Sequence, residues 1–108
     1  MNNTQERSFK AYYAYYLTLH RNRTNRILHV IGQIWTVIYL ITVLWLMLNV
    51  NAWFALLLIS VPFVIYPIVW FGHLHYEKNK PASWTNPVWA KAADWCFFYD
   101  VLRGRERL

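Results

Sequence analysis

The stretch ILHVIGQIWTVIYLITVLWLMLNVNAWFALLLISVPFVIYPIVWFG, residues 27–72, decides the architecture of this chain. From residue 27 to residue 76 the sequence contains no Asp, Glu, Lys or Arg. The whole chain has 108 residues, and a soluble domain of that size has no core large enough to hide fifty consecutive uncharged residues. We therefore expect the solvent around this stretch to be lipid.

Two apolar runs within the stretch predict two transmembrane helices, at 28–48 and at 52–72, with the second continuing to about 79. A short polar turn, NVN, separates them. Each run reaches about 30 Å as a helix, which is enough to cross the hydrocarbon core of a bilayer. Pro62 and Pro67 remove backbone donors and should bend the second helix. The sequence thus predicts an all-α membrane protein built on a two-span helical hairpin.

A shorter helix is predicted on each side of the hairpin. Residues 8–20 are rich in aromatic side chains and contain a single lysine. This composition favours a helix that lies at the membrane interface, with Ser8 as its N-cap. Residues 87–103 form an amphipathic segment on the cytoplasmic side, with Asn86 as N-cap and Pro87 at the first helical position. Its apolar stripe contains Val88, Ala92, Trp95, Tyr99 and Leu102.

The charges predict the orientation. All eleven Lys and Arg lie in the flanks, and the net charge is +6. Cations that frame apolar segments favour an anionic membrane surface over nucleic acid as the partner. By the positive-inside rule, both termini should be cytoplasmic, in the bacterial inner membrane or in the membrane of a eukaryotic endoplasmic reticulum. Residues 1–108 are expected to form a single membrane domain.

The histidines gather on one side of this predicted membrane. His29 opens the first span and His73 closes the second, so an antiparallel hairpin places them at matched height. His20 precedes a polar break at 22–25 and can fold back over the end of the hairpin. Because neutral imidazole is the commonest metal ligand, this layer of histidines predicts a metal site.

Glu77 adds a carboxylate to this layer. His73 and Glu77 are four residues apart and share a helix face, so both could bind one ion. His75 would point about 200° away from His73 and is expected to be peripheral. The amide of Asn25, four residues before His29, could orient that imidazole. Three histidines with a carboxylate suit iron, manganese or zinc in a mononuclear site.

The remaining polar residues have simpler interpretations. The cations of the flanks are topology determinants and phospholipid contacts, and Arg26, one turn before His29, is the best placed to hold a lipid carboxylate. Asp94 and Asp100 are expected to be solvated helix residues, and Cys96 an inert thiol.

Two alternatives to a metal enzyme stay open on these residues. His29 and His73 could ligate a haem axially across the two spans, which would make the chain a membrane electron carrier. A non-enzymatic adaptor would instead use its aromatic face to bind lipid or a partner protein. A Soret band would indicate the first, and negligible metal content the second.

Two motifs carry a family resemblance. YYLTLHRNRTNRILHVIG, residues 15–32, contains H-x-N-x-x-N-R-x-x-H-x-x-G, and GHLHYEKNKPA, residues 72–82, contains G-H-x-x-x-E-x-x-x-P-A. Both resemble the Mpo-type family of small membrane proteins, formerly a domain of unknown function, which includes the yeast 2-hydroxy-palmitate dioxygenase. The resemblance extends from residue 9 to about 104, and residues 86–105 more loosely resemble the short bacterial branch.

The resemblance implies α-oxidation at the membrane interface, in which a 2-hydroxy fatty acid becomes one carbon shorter. The cofactor would be non-haem iron(II), with molecular oxygen as co-substrate. The family's catalytic and metal-binding residues fall on His20, His29, His73 and Glu77. Its asparagines fall on Asn22 and Asn25, which with Arg26 are the expected substrate-binding residues. Yeast-type members are longer and carry more spans, so a homo-oligomer is expected to enclose the substrate here.

Overall fold

The computed structural model describes residues 8–108, and this part of the chain is all helical, without a strand. Its α-helices are α1 (Phe9–Thr18), α2 (Arg23–Asn49), α3 (Tyr66–Gly72) and α4 (Pro87–Leu102). A short 3₁₀ turn, Ala82–Trp84, precedes α4. The predicted all-α class is confirmed, while residues 1–7 of the predicted domain lie outside the described residues.

The second apolar helix, Ala52–Glu77, changes its hydrogen-bonding type along its length. It begins as a 3₁₀ helix, Ala52–Phe63, continues as α3 and ends in one π turn, His73–Glu77. Pro62 lies inside the 3₁₀ part, and the other proline of the segment lies in the first turn of α3, where a missing N–H costs no helical bond. The prolines thus mark the change of helix type.

Both long helices have the length and composition to cross a membrane. Only 28% of the most apolar window of α2, and 11% of that of Ala52–Glu77, is buried. The core helix of a soluble protein would be mostly buried instead. Large apolar side chains such as Leu48, Trp53 and Ile59 are 84%, 76% and 71% exposed. Such surfaces are expected where the solvent is lipid.

The two long helices pack against each other at a glycine. A Cβ on Gly32 of α2 would lie 2.7 Å from Cγ1 of Ile65, which is closer than van der Waals contact. Glycine therefore permits this approach. Further along, the hydroxyls of Tyr39 and Ser60 form a 2.7 Å hydrogen bond between the helices.

Helices α1 and α4 pack together at the other end of the molecule. Their N-caps are as the sequence predicts, because Ser8 accepts a bond from Ala11 N–H and Asn86 accepts one from Trp89 N–H. The predicted apolar stripe of α4, however, is turned outward. Helix α4 packs instead through a buried face of two alanines, one phenylalanine and two aspartates, which meets the tyrosines of α1: Ala90, Ala93, Phe97, Asp94 and Asp100.

The prediction that Asp94 and Asp100 are solvated is wrong. Each is only 8% exposed. The hydroxyl of Tyr16 donates to Asp94, and that of Tyr13 donates to Asp100 over 2.7 Å. Aromatic hydroxyls on α1 thus supply the polar partners that allow two carboxylates of α4 to be buried.

Candidate metal centre

Three histidines from three segments meet in one buried cluster. His20 follows α1, His29 lies on α2, and His73 opens the π turn, and their exposed fractions are 0%, 3% and 1%. The ring centroids are 4.4, 4.5 and 5.0 Å apart, with ring planes at 81–88° to one another. One potential ligand atom from each lies within 4.8 Å of the others. Mutually perpendicular rings let three nitrogens approach one point from three directions.

The hydrogen bonds define the tautomer of each ring. In every case Nδ1 lies 2.7–2.8 Å from a carbonyl oxygen, supplied by the backbone of Tyr16, the backbone of Asn25 and the side chain of Asn79. A carbonyl oxygen can only accept, so each Nδ1 carries the hydrogen. Each Nε2 is then left with a free lone pair, the form in which imidazole binds a metal.

The distance between two of these nitrogens suits two ligands of one metal ion. Nε2 of His20 and Nε2 of His29 are 3.1 Å apart, and neither carries a hydrogen in this tautomer. Burial and the neighbouring imidazoles lower the pKa of His20 well below its ordinary value, which opposes a shared proton. A separation of about 3 Å suits two ligands of one metal ion with bonds of roughly 2.1 Å. The donor set and its tautomers therefore fit a metal ion.

The π turn positions the third histidine. It ends at Lys78, which adopts the left-handed conformation with φ 61°, and the carbonyl of His73 accepts from the N–H groups of both Lys78 and Asn79. This closure brings the Asn79 side chain back to Nδ1 of His73. The amide nitrogen of Asn79 donates to the carbonyl of Leu19 over 3.0 Å, so its oxygen must face the histidine. Asn79 thus joins the second apolar helix to the segment that carries His20.

The predicted fourth ligand, Glu77, lies outside the cluster of three. Its Oε2 accepts from the N–H of Asn22 over 2.7 Å and from the side-chain amide of Asn25 over 3.1 Å. Asn22 also caps α2. The carboxylate therefore sits at the positive N-terminal end of α2, where a negative charge is stabilised. Asn25 reaches His29 through its backbone carbonyl, which corrects the predicted amide contact.

All three guanidinium nitrogens of Arg26 donate hydrogen bonds within the protein. Its Nε donates to the carbonyl of Arg107, its Nη1 to the carbonyl of His20 and its Nη2 to Glu106, over 2.9, 2.9 and 2.7 Å. The guanidinium also lies 4.8 Å from the ring centroid of Phe97. The residue predicted to hold a lipid carboxylate thus fastens the residues after α4 to the segment of His20.

His75 and the cluster are separate. The side chain of His75 is exposed and stacks on Phe71, with ring centroids 4.2 Å apart. It is not among the three grouped histidines. The expected peripheral position of His75 agrees with this arrangement.

Tyr16 and Asp94 adjoin the cluster, and sequence reasoning missed both. The Tyr16 ring stacks on His20 at 3.9 Å, and its hydroxyl donates to Asp94. The three histidines, Tyr16 and Asp94 all line one cavity of about 10 Å³, room for about one water-sized particle. Burial raises the pKa of Asp94 to about 6. The available signal was a pair of carboxylates, Asp94 and Asp100, in the otherwise apolar run AADWCFFYD.

Comparison with known proteins identifies the family. The family model described as 2-hydroxy-palmitic acid dioxygenase Mpo1-like matches residues 6–106. The match spans nearly the whole chain, so the protein belongs to the Mpo1-like family, as its two motifs indicated. No curated protein and no solved structure matches the chain.

Proposed function

We propose that this Mpo1-like protein is an integral membrane dioxygenase that uses non-haem iron(II) and molecular oxygen to shorten 2-hydroxy fatty acids by one carbon. The observation that carries the proposal is the convergence of three buried imidazoles whose Nδ1 atoms are all bonded to carbonyls. The description of the family as a dioxygenase supports the reaction class.

His20, His29 and His73 would hold the iron. Neutral imidazoles suit iron, and a site with three protein ligands keeps positions open for other molecules. When bound, iron(II) would supply the redox chemistry of the reaction with oxygen. Glu77, the expected fourth catalytic residue, would act by tying the second apolar helix to α2 through Asn22 and Asn25.

The residues around the three ligands would maintain their geometry. Tyr16 accepts from Nδ1 of His20 through its carbonyl and stacks on the same ring, while Asp94 anchors the Tyr16 hydroxyl. Asn79 directs Nε2 of His73 into the cluster. These contacts reduce the reorganisation that binding requires, since the rings already point at one another.

The position of the cluster suits an amphiphilic substrate. It lies near the start of α2 and at the end of the second apolar helix, where both basic flanks meet the apolar segments. A fatty-acid head could reach it while the tail stays in hydrocarbon, and each buried CH₂ contributes about 0.8 kcal/mol. We infer cytoplasmic termini from the basic flanks, and a homo-oligomer that encloses the tail completes the proposal.

The geometry opposes the haem alternative. The rings of His29 and His73 have centroids 5.0 Å apart and planes at 88°, with His20 packed against both. Axial ligands must stand on opposite faces of a porphyrin, and the cavity of about 10 Å³ has no space for one. A mononuclear metal ion is the better fit.

Metal analysis and an absorption spectrum of the detergent-purified protein test the proposal, with His73→Ala beside His75→Ala. These two histidines belong to the same π turn, but only His73 belongs to the cluster. We expect iron without a Soret band in the wild type and in His75→Ala, and its loss in His73→Ala. The protein should consume oxygen when 2-hydroxypalmitate is added and should not when palmitate is added. Absence of metal after anaerobic iron(II) reconstitution would refute the proposal and favour an adaptor.

A further inference from the structure

Because Arg26 bonds to groups of the protein itself, another cation is needed to bind the carboxylate of an acidic substrate. Lys91 on α4 is a second cation whose contacts lead to the histidine cavity. Its ammonium lies 4.6 Å from the ring centroid of Tyr66, and it is one helical turn from Asp94. Tyr66 and Asp94 both line the cavity of the three histidines. Lys91 therefore contacts the wall of the cavity through Tyr66.

The partners of Lys91 carry no full charge. Its Nζ donates to the carbonyl of Pro62 over 2.7 Å and lies against the Tyr66 ring. Among residues 8–108, the salt bridges are those of Arg26 with Glu106 and of Arg103 with Asp100, so Lys91 has none. Burial lowers the pKa of Lys91, and the attraction of the nearby Asp94 carboxylate partly opposes that shift.

The setting of Lys91 favours an anion that arrives from the bilayer. Pro62 belongs to the 3₁₀ part of the second apolar helix and is exposed there, so Lys91 reaches the lipid-facing edge between this helix and α4. An ammonium partly withdrawn from water without a salt-bridge partner is destabilised, and Asp94 acts on Lys91 only beyond salt-bridge distance. The ammonium of Lys91 can exchange the Pro62 carbonyl and the Tyr66 ring for a carboxylate. A hydrogen bond between two charged groups is stronger than one to a neutral carbonyl.

We propose that Lys91 binds the carboxylate of a long-chain fatty acid at the edge between α4 and the second apolar helix, beside the histidine cluster. This subsite rests on the proposed function for its substrate class, but it does not require the metal. The acid would be held by its head at Lys91, with Tyr66 between that head and the cavity, while the tail follows the apolar surface of the helix.

Binding by metal-free full-length protein in detergent micelles tests this subsite. Displacement of a fluorescent fatty acid by palmitate is compared with displacement by 1-hexadecanol, which has the same tail without the carboxylate. We expect the wild type to prefer the acid by about tenfold or more. Lys91→Gln should remove the preference while keeping a donor for the Pro62 carbonyl, and Lys91→Arg should retain it.

Lys80→Gln is the matched control, because Lys80 is an exposed cation with the same charge in the loop between the π turn and the 3₁₀ turn. It should keep the wild-type preference. Equal binding of acid and alcohol by the wild type, or an unchanged preference in Lys91→Gln, would overturn the subsite. If Lys91→Gln fails to fold, loss of the preference in Lys91→Met supports the subsite and its retention refutes it. Because metal is absent throughout, failure of this experiment and failure of the iron site are distinguishable.

Discussion

Asn79 is the residue whose replacement tests the geometry of the candidate metal centre most directly. Of the three groups that accept from the histidine Nδ1 atoms, only that of Asn79 belongs to a side chain. The other two are backbone carbonyls, which a substitution leaves in place. Asn79→Leu removes the 2.7 Å bond to His73 and the 3.0 Å bond to the carbonyl of Leu19. His73 is then free to rotate or to change tautomer.

The expected loss of metal affinity is that caused by removing a residue that hydrogen-bonds to a metal ligand. Such replacements weaken metal binding by about 10–100-fold, or about 1.4–2.7 kcal/mol. Asn79→Asp should lose less affinity than Asn79→Leu, because a carboxylate still accepts from Nδ1 of His73. Both variants lose the bond to the carbonyl of Leu19, and only Asn79→Leu also loses the bond to His73. The difference in affinity between the two variants therefore measures the contribution of the His73 bond.

Anaerobic titration of iron(II) against a chelating dye measures the affinity. Asn49→Leu is the control, since that amide bonds to the carbonyl of Trp45 at the far end of α2. It should bind like the wild type. The reasoning fails if Asn79→Leu binds within a factor of two of the wild type while His73→Ala does not bind.

Three further predictions concern stability, measured as unfolding of the metal-free protein in detergent. Gly72→Ala should lose about 1–3 kcal/mol, since its Cβ would collide with Oδ1 of Asn25; an unchanged melting temperature would contradict the packing. Tyr16→Phe should lose about 1.5–3 kcal/mol by removing its bond to Asp94, whereas Tyr13→Phe should lose less, because the acceptor of Tyr13 keeps an arginine partner. The raised pKa of Asp94 means that the folded state binds more protons, so stability should fall as pH rises from about 4 to 6, and Asp94→Asn should flatten that slope.

The sequence alone predicted those features that depend on composition and on contacts between residues close in the chain. Fifty uncharged residues cannot be buried in a domain of this size, so their length and composition predict two apolar helices. His29 and His73 bound this stretch, which predicted that they share one depth, and the structure brings them together with His20. The caps at Ser8 and Asn86 follow from side-chain chemistry within three residues of the helix start.

Tertiary structure decided which side chains complete the site. The π turn brings Asn79 to His73, and this depends on the balance of local bonds and packing, which a four-residue spacing does not encode. Asp94 is buried because the Tyr16 hydroxyl on another helix reaches it. Arg26 bonds to residues of the chain after α4. The partners of Asp94 and Arg26 are distant in sequence, so residue type sets what these side chains can bind, and packing decides what they do bind.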